Sequence, residues 1–156
     1  MNILVSHCLL GEACRYDGAS KPVEEIRQLE KEGHTLIPVC PEVEGGLPTP
    51  RPPAEICEDQ QVFNNIGINV TAYYQAGACK ALELARRYGC TMAILKEKSP
   101  SCGNEQIYDG SFTGRLIPGQ GITARLLTHH GIRVFGESSF RDGLHTEEKN
   151  GSGSRK

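Results

Sequence analysis

The chain has no tryptophan, only two methionines and four phenylalanines, and no run of basic residues. Its formal charge is -2 and its pI about 6.2, so it lacks the electrostatic footprint of a nucleic-acid or anionic-membrane binder. No apolar stretch reaches the roughly 20 residues of a spanning helix. The opening segment, MNILVSHCLLGEACRYDG, lacks a basic leader and is too short in its apolar part for a signal peptide. A cytoplasmic protein with no membrane and no nucleic-acid partner is therefore expected. There is no internal repeat and no C-x-x-C pair, although cysteine is abundant. The seven cysteines (8, 14, 40, 57, 79, 90 and 102) are odd in number, which argues against a secreted disulfide framework. In a reducing compartment they are free thiols, metal ligands, catalytic groups or small buried hydrophobes.

A length of 156 residues predicts one domain. Such a chain buries roughly 70% of the surface its unfolded form exposes, so neither disulfide nor metal is needed merely to fold. Strands are predicted over 2–5, 34–39, 92–95 and 132–135. Helices are predicted over 22–32, 71–88 and 122–130, the first starting at Pro22 with Glu24 and Glu25 in its first turn, the second capped by Thr71. Residues 62–70 resemble a hairpin centred on NNIG. The segment PVCPEVEGGLPTPRPPAEI, residues 38–56, holds six of the nine prolines and reads as a stiff loop that continues neither strand nor helix. Residues 141–156 read as a polar, loose tail after a domain over 1–140.

Strands alternating with helices predict an α/β fold: a single domain with a Rossmann-like, mostly parallel sheet and flanking helices. Ligands of such sheets bind beyond the carboxyl ends of the strands. Cys8, Cys40 and Cys102 each follow a predicted strand and should converge there. Three thiolates on one rim suit a soft metal or an iron–sulfur cluster, against the plainer reading of buried hydrophobes. Structural zinc prefers four ligands. Cys14, Cys57, Cys79 and Cys90 take the plainer reading.

Four segments resemble the 2-thiouracil desulfurase family: SHCLLGEACRYDG (6–18), PVCPEVEGGLPTPRPPAEI (38–56), LKEKSPSCG (95–103) and YDGSFTGRLIPGQGITARLL (108–127). The resemblance runs from about residue 2 to residue 137. It implies a [4Fe–4S] cluster held by Cys8, Cys40 and Cys102, with one iron free of protein ligands. It also implies a non-redox reaction: the free iron takes the thiocarbonyl sulfur of a thiolated pyrimidine, water adds to the ring carbon, and 2-thiouracil becomes uracil and hydrogen sulfide. Soft iron prefers sulfur to oxygen.

Such a reaction needs a proton acceptor and a proton donor. Glu42 and Glu44 follow Cys40 closely and, with Ser101, are the catalytic candidates. Ser99, Arg15 and Arg51 are candidates for binding the small-molecule thio-base. The plainer role for Glu42 is a loop ion pair with Arg51. Lys96 and Lys98 read as solvated surface, and the glycines of YDGSFTG and IPGQG can cradle an anion before the last helix. The alternatives are a non-catalytic iron–sulfur or metal module for redox sensing, and a desulfurase for another thio-nucleobase or nucleoside.

Overall fold

A computed structural model describes residues 1–19 and 23–144 of the protein. Four parallel strands form the central sheet: β1 (Asn2–Ser6), β2 (Thr35–Val39), β5 (Met92–Leu95) and β8 (Arg133–Gly136), in the order β2-β1-β5-β8. Register is continuous: Ile3 faces Leu36 on one side and Met92 on the other, and Ile94 faces Phe135. Strand order reverses between β1 and β5, which opens a crevice at their carboxyl ends.

Both faces are covered, because alternate residues of each strand point opposite ways. Ile3, Val5, Met92 and Ile94 pack on Ile26 and Leu29 of α1 (Glu24–Lys31). Leu4, Ala93 and Leu95 pack on Ala81, Leu82 and Ala85 of α3 (Thr71–Arg87) and on Ala124 and Leu127 of α4 (Ile122–His129). The expected α/β architecture, with a mostly parallel sheet between helices, is the observed one.

Several expectations are corrected. Residues 41–44 form a short helix, α2 (Pro41–Glu44), because a proline at the first helical position lacks only an amide that would go unpaired anyway. The rest of the proline segment gives β3 (Ala54–Ile56), which pairs antiparallel with β4 (Val62–Asn64). The anticipated hairpin over 62–70 is present in short form: Phe63 and Asn69 form an antiparallel bridge, Val70 N donates to Val62 O at 2.8 Å, and Asn64 N donates to Ile68 O at 2.9 Å. A second ribbon joins β6 (Gln106–Tyr108) to β7 (Leu116–Pro118). Thr71 does not cap α3: it is the first helical residue, and its amide donates to Asn69 Oδ1 at 3.0 Å. Pro22, the expected start of α1, lies outside the described residues. The chain is helical over 140–144, where Phe140 (1% exposed) and Leu144 (3%) join the core, so the expected tail does not begin at 141. Residues 145–156 lie outside the described ones.

Candidate active site

Loops leaving the carboxyl ends of β1, β2 and β5 close over one cavity of about 600 Å³. Cys8, Cys40 and Cys102 all line it, and so does Cys14. Cys8 sits in a 3-10 turn, His7–Leu10, directly after β1. Cys40 directly follows β2 and is the N-cap residue of α2. Cys102 lies in the loop after β5.

The wall that carries Cys40 is set by backbone contact. A Cβ on Gly45 would overlap the carbonyl oxygen of Tyr73, and a Cβ on Gly77 would overlap that of Pro41. Only glycine at both positions lets α2 lie this close to α3. The approach brings Tyr74 of α3 to Glu42 of α2. Glu42 Oε2 accepts from Arg51 Nη2 at 3.0 Å and from the Tyr74 hydroxyl at 3.3 Å. Arg51 is 8% exposed. It also donates to the carbonyls of Cys14 and Pro48, each at 3.2 Å, and its Nε has no partner among the described residues. Burial, and then the Glu42 charge, push the Tyr74 hydroxyl far above its usual range, so it is a neutral donor.

The wall that carries Cys102 is set by side chains that accept from backbone. Ser99 Oγ accepts the amides of Ser101 (3.0 Å) and Cys102 (3.1 Å). The first amides of α4 donate to the carbonyls of Pro100 and Ser101, at 2.9 and 2.8 Å. The expected anion cradle before this helix is therefore already filled by the cysteine loop. Glu97 Oε1 accepts three successive amides, of Asn104, Glu105 and Gln106, at 2.8, 2.8 and 3.1 Å. Lys96, expected on the solvated surface, pairs with Glu137 at 3.1 Å, with both side chains largely buried.

The Cys14, Cys40 and Cys102 thiols are pushed above their usual range. Burial and then the Glu42 charge raise Cys102 strongly, against smaller opposing hydrogen bonds from the Ser6 and Ser101 hydroxyls. A hydrogen bond with the Cys14 thiol and burial raise Cys40. The bond with Cys40 lowers Cys14, but its bond with Cys8, burial and the charge of Cys8 outweigh that and lift it to about 11. Such thiols deprotonate when a cation arrives to take the charge.

Of the sequence candidates, Cys8, Cys40, Cys102, Glu42, Arg51, Arg15 and Ser99 come together around the cavity. Two do not. Glu44 is exposed and outside the cavity, because it lies on the opposite side of α2 from Glu42. Ser101 is fully buried behind the wall, its hydroxyl 2.8 Å from that of Thr123. Arg51 makes the loop ion pair with Glu42 that was the plainer reading of Glu42. Sequence reasoning missed Tyr74, Glu55, Phe112 and the place of Cys14 beside two other thiols. Tyr74 lies four residues before Ala78 on the apolar stripe of α3, a signal that was there to read.

The donor set fits a cluster better than a lone ion. Among the described residues, no three side chains of His, Cys, Asp or Glu are close enough to share one metal ion. Cys8, Cys40 and Cys102 instead come from three separate walls of a roomy cavity, and their soft sulfur suits iron.

Known proteins match the chain along most of its length. A family model described as 2-thiouracil desulfurase covers residues 3–139. The uncharacterized protein YbbK of Bacillus subtilis (strain 168) is 44% identical over 149 residues, covering 90% of this chain and 98% of that protein. The solved structure of TudS, a [4Fe-4S]-dependent thiouracil desulfidase, is 46% identical and superposes with a TM-score of 0.87, covering 94% of this chain and 97% of the other.

Proposed function

The chain belongs to the 2-thiouracil desulfurase family, and we propose that it converts 2-thiouracil and water to uracil and hydrogen sulfide, without net redox change, using a [4Fe–4S] cluster held by Cys8, Cys40 and Cys102. The observation that carries this reading is one cavity lined by three thiols from three strand ends and by a carboxylate braced behind them. When bound, such a cluster supplies a soft iron without a protein ligand for the sulfur.

The chain's own residues handle the protons and the base. Glu42 has both its donors on Oε2, which leaves Oε1 as the oxygen that takes a proton from water and returns it toward the departing sulfur. Glu44 and Ser101 have no part in this. The oxygen of Ser99 accepts two amides, so its hydroxyl proton is the part left to donate to the base edge. Arg15 lines the cavity and its guanidinium has no hydrogen-bond partner among the described residues, which suits a contact to a ring carbonyl. No described helix is long and apolar enough to cross a membrane. Seven free thiols suit the reducing cytoplasm, our assignment for the protein.

The test is anaerobic loading followed by iron and sulfide counts. Cys8→Ala, Cys40→Ala and Cys102→Ala should each lose iron, while Cys14→Ala keeps it. Glu42→Gln should keep the cluster absorbance and lose turnover by roughly a hundredfold or more. A fully loaded wild type that releases neither uracil nor sulfide from 2-thiouracil refutes the assignment in favour of a sensing module. Iron retained in Cys40→Ala refutes the ligand set.

A further inference from the structure

Phe112 is an apolar ring held out of the core. It lines the cavity and is 38% exposed, whereas Phe140 is 1% exposed. It joins none of the apolar clusters of the described core. Its backbone lies at φ +58°, the left-handed region that a bulky L-residue avoids.

The fold enforces this placement. Glu55, 9% exposed, accepts the amides of both Gly110 (2.9 Å) and Phe112 (3.2 Å) on one oxygen. Gly110 is itself at φ +93°, with Ile56 O just 2.8 Å from where a Cβ would stand. A buried carboxylate and a crowded glycine thus hold a strained turn whose product is a phenyl ring facing the cavity. Neither the strain nor the exposure stabilises the empty protein. Both make sense once a flat partner covers the ring.

Building on the desulfurase reading above, we infer that Phe112 is the stacking platform for the pyrimidine ring and selects planar aromatic thio-bases over other thiocarbonyl compounds. Every nucleobase has a π-face that stacks on an aromatic ring whatever its edges carry. The ring lies at the exposed side of the cavity, while Cys8 and Cys102 are 7% and 3% exposed. A base stacked on Phe112 therefore enters sulfur first. Tyr16, 42% exposed, is a second aromatic ring lining the same cavity.

The experiment uses the full chain loaded with cluster. Phe112→Ala should raise KM for 2-thiouracil about five- to hundredfold, the range expected for losing one base–ring stack. Iron per chain and kcat should hold. Phe112→Tyr should keep KM near the wild type. The preference for 2-thiouracil over its non-planar 5,6-dihydro form should collapse in Phe112→Ala. Phe112→Gly should show the same KM rise with no lower melting temperature, because glycine adopts this backbone freely. Unchanged KM in the alanine and glycine chains overturns the proposal. So does iron loss in Phe112→Ala, or a melting temperature about 4 °C or more lower in Phe112→Gly, since the ring would then be structural.

A second readout does not need turnover. The chain has no tryptophan, so Phe112→Trp carries a single indole, which can be excited at wavelengths where the tyrosines do not absorb. Uracil and 2-thiouracil should each change its emission saturably. No response overturns the stacking proposal even where the wild type desulfurates normally, and the desulfurase reading then stands. If the loaded wild type releases no sulfide, that reading fails, and the uracil titration still decides the role of Phe112.

Discussion

Two of the cavity's walls, those that carry Cys40 and Cys102, solve the same problem with different forces. Both must hold a thiol at the end of a parallel strand. The Cys40 wall is placed by backbone on backbone, through Gly45 and Gly77, and its buried ion pair, Arg51–Glu42, lines the cavity. The Cys102 wall is placed by Ser99, Glu97 and the first turn of α4, and its ion pair, Lys96–Glu137, braces the start of the loop: Glu137 also accepts the amide of Glu97 at 2.6 Å. On the proposed reading, the difference separates a wall that must orient a proton-carrying carboxylate from one that presents a thiol and the Ser99 hydroxyl. A carboxylate that moves protons has to be placed to within about half an ångström, and tight helix contact supplies that. A thiol on a loop needs the loop's amides satisfied and little more.

The largest effect should come from a single methyl group. Gly77 lies inside α3, where helix propensity alone predicts that alanine stabilises by about 1 kcal/mol. The overlap with Pro41 O reverses that sign. Gly77→Ala should destabilise by more than about 3 kcal/mol, read as a melting temperature lower by roughly 10 °C, with reduced cluster content because Cys40 moves. An unchanged or higher melting temperature would show that α2 is not held by this contact.

The Arg51 pair should come next. Arg51→Met leaves Glu42 with Tyr74 as its remaining partner and frees the carbonyls of Cys14 and Pro48. A loss of about 2–3 kcal/mol is expected, below the full value for a sealed pair because Glu42 opens on the cavity. Arg51→Lys should recover little of it, since an ammonium cannot reproduce the guanidinium fork. Turnover should fall with iron content intact. Full activity in Arg51→Met would show that Glu42 keeps its place without the pair.

Much of this was legible in the residues. Apolar runs and helical periodicity located all four strands of the main sheet and its three long flanking helices, with boundaries off by a residue or two. The strand-end rule brought Cys8, Cys40 and Cys102 to one cavity because it needs only the order of elements. The short ribbons escaped notice: three-residue strands such as Ala54–Ile56 owe their form to their partners rather than to their own pattern. Helix α2 was hidden by reading Pro41 only as a breaker. That omission also hid the choice between the glutamates, since residues two apart on a helix point about 200° apart and cannot both face the cavity. Phe112 was illegible, because its placement depends on a hydrogen bond that its amide donates to a carboxylate 57 positions away.

The smallest effect tests the Cys102 wall through pH. Burial works against the Glu137 carboxylate, but the amide of Glu97, its own amide and the Lys96 charge outweigh it, so its pKa lies below the usual range when folded. A carboxylate lowered in this way stabilises the fold above its unfolded pKa of about 4.3, and the contribution fades as pH falls through the folded value. Lys96→Met should therefore cost about 1 kcal/mol at neutral pH, and that gap from wild type should stay constant down to about pH 5 and close below pH 4. Thermal melts of the two chains, prepared and loaded alike, read the gap directly. A gap that persists unchanged to pH 3 would mean that Lys96 supports the wall through the packing of its stem rather than its charge. The two walls would then differ less in force than their ion pairs suggest.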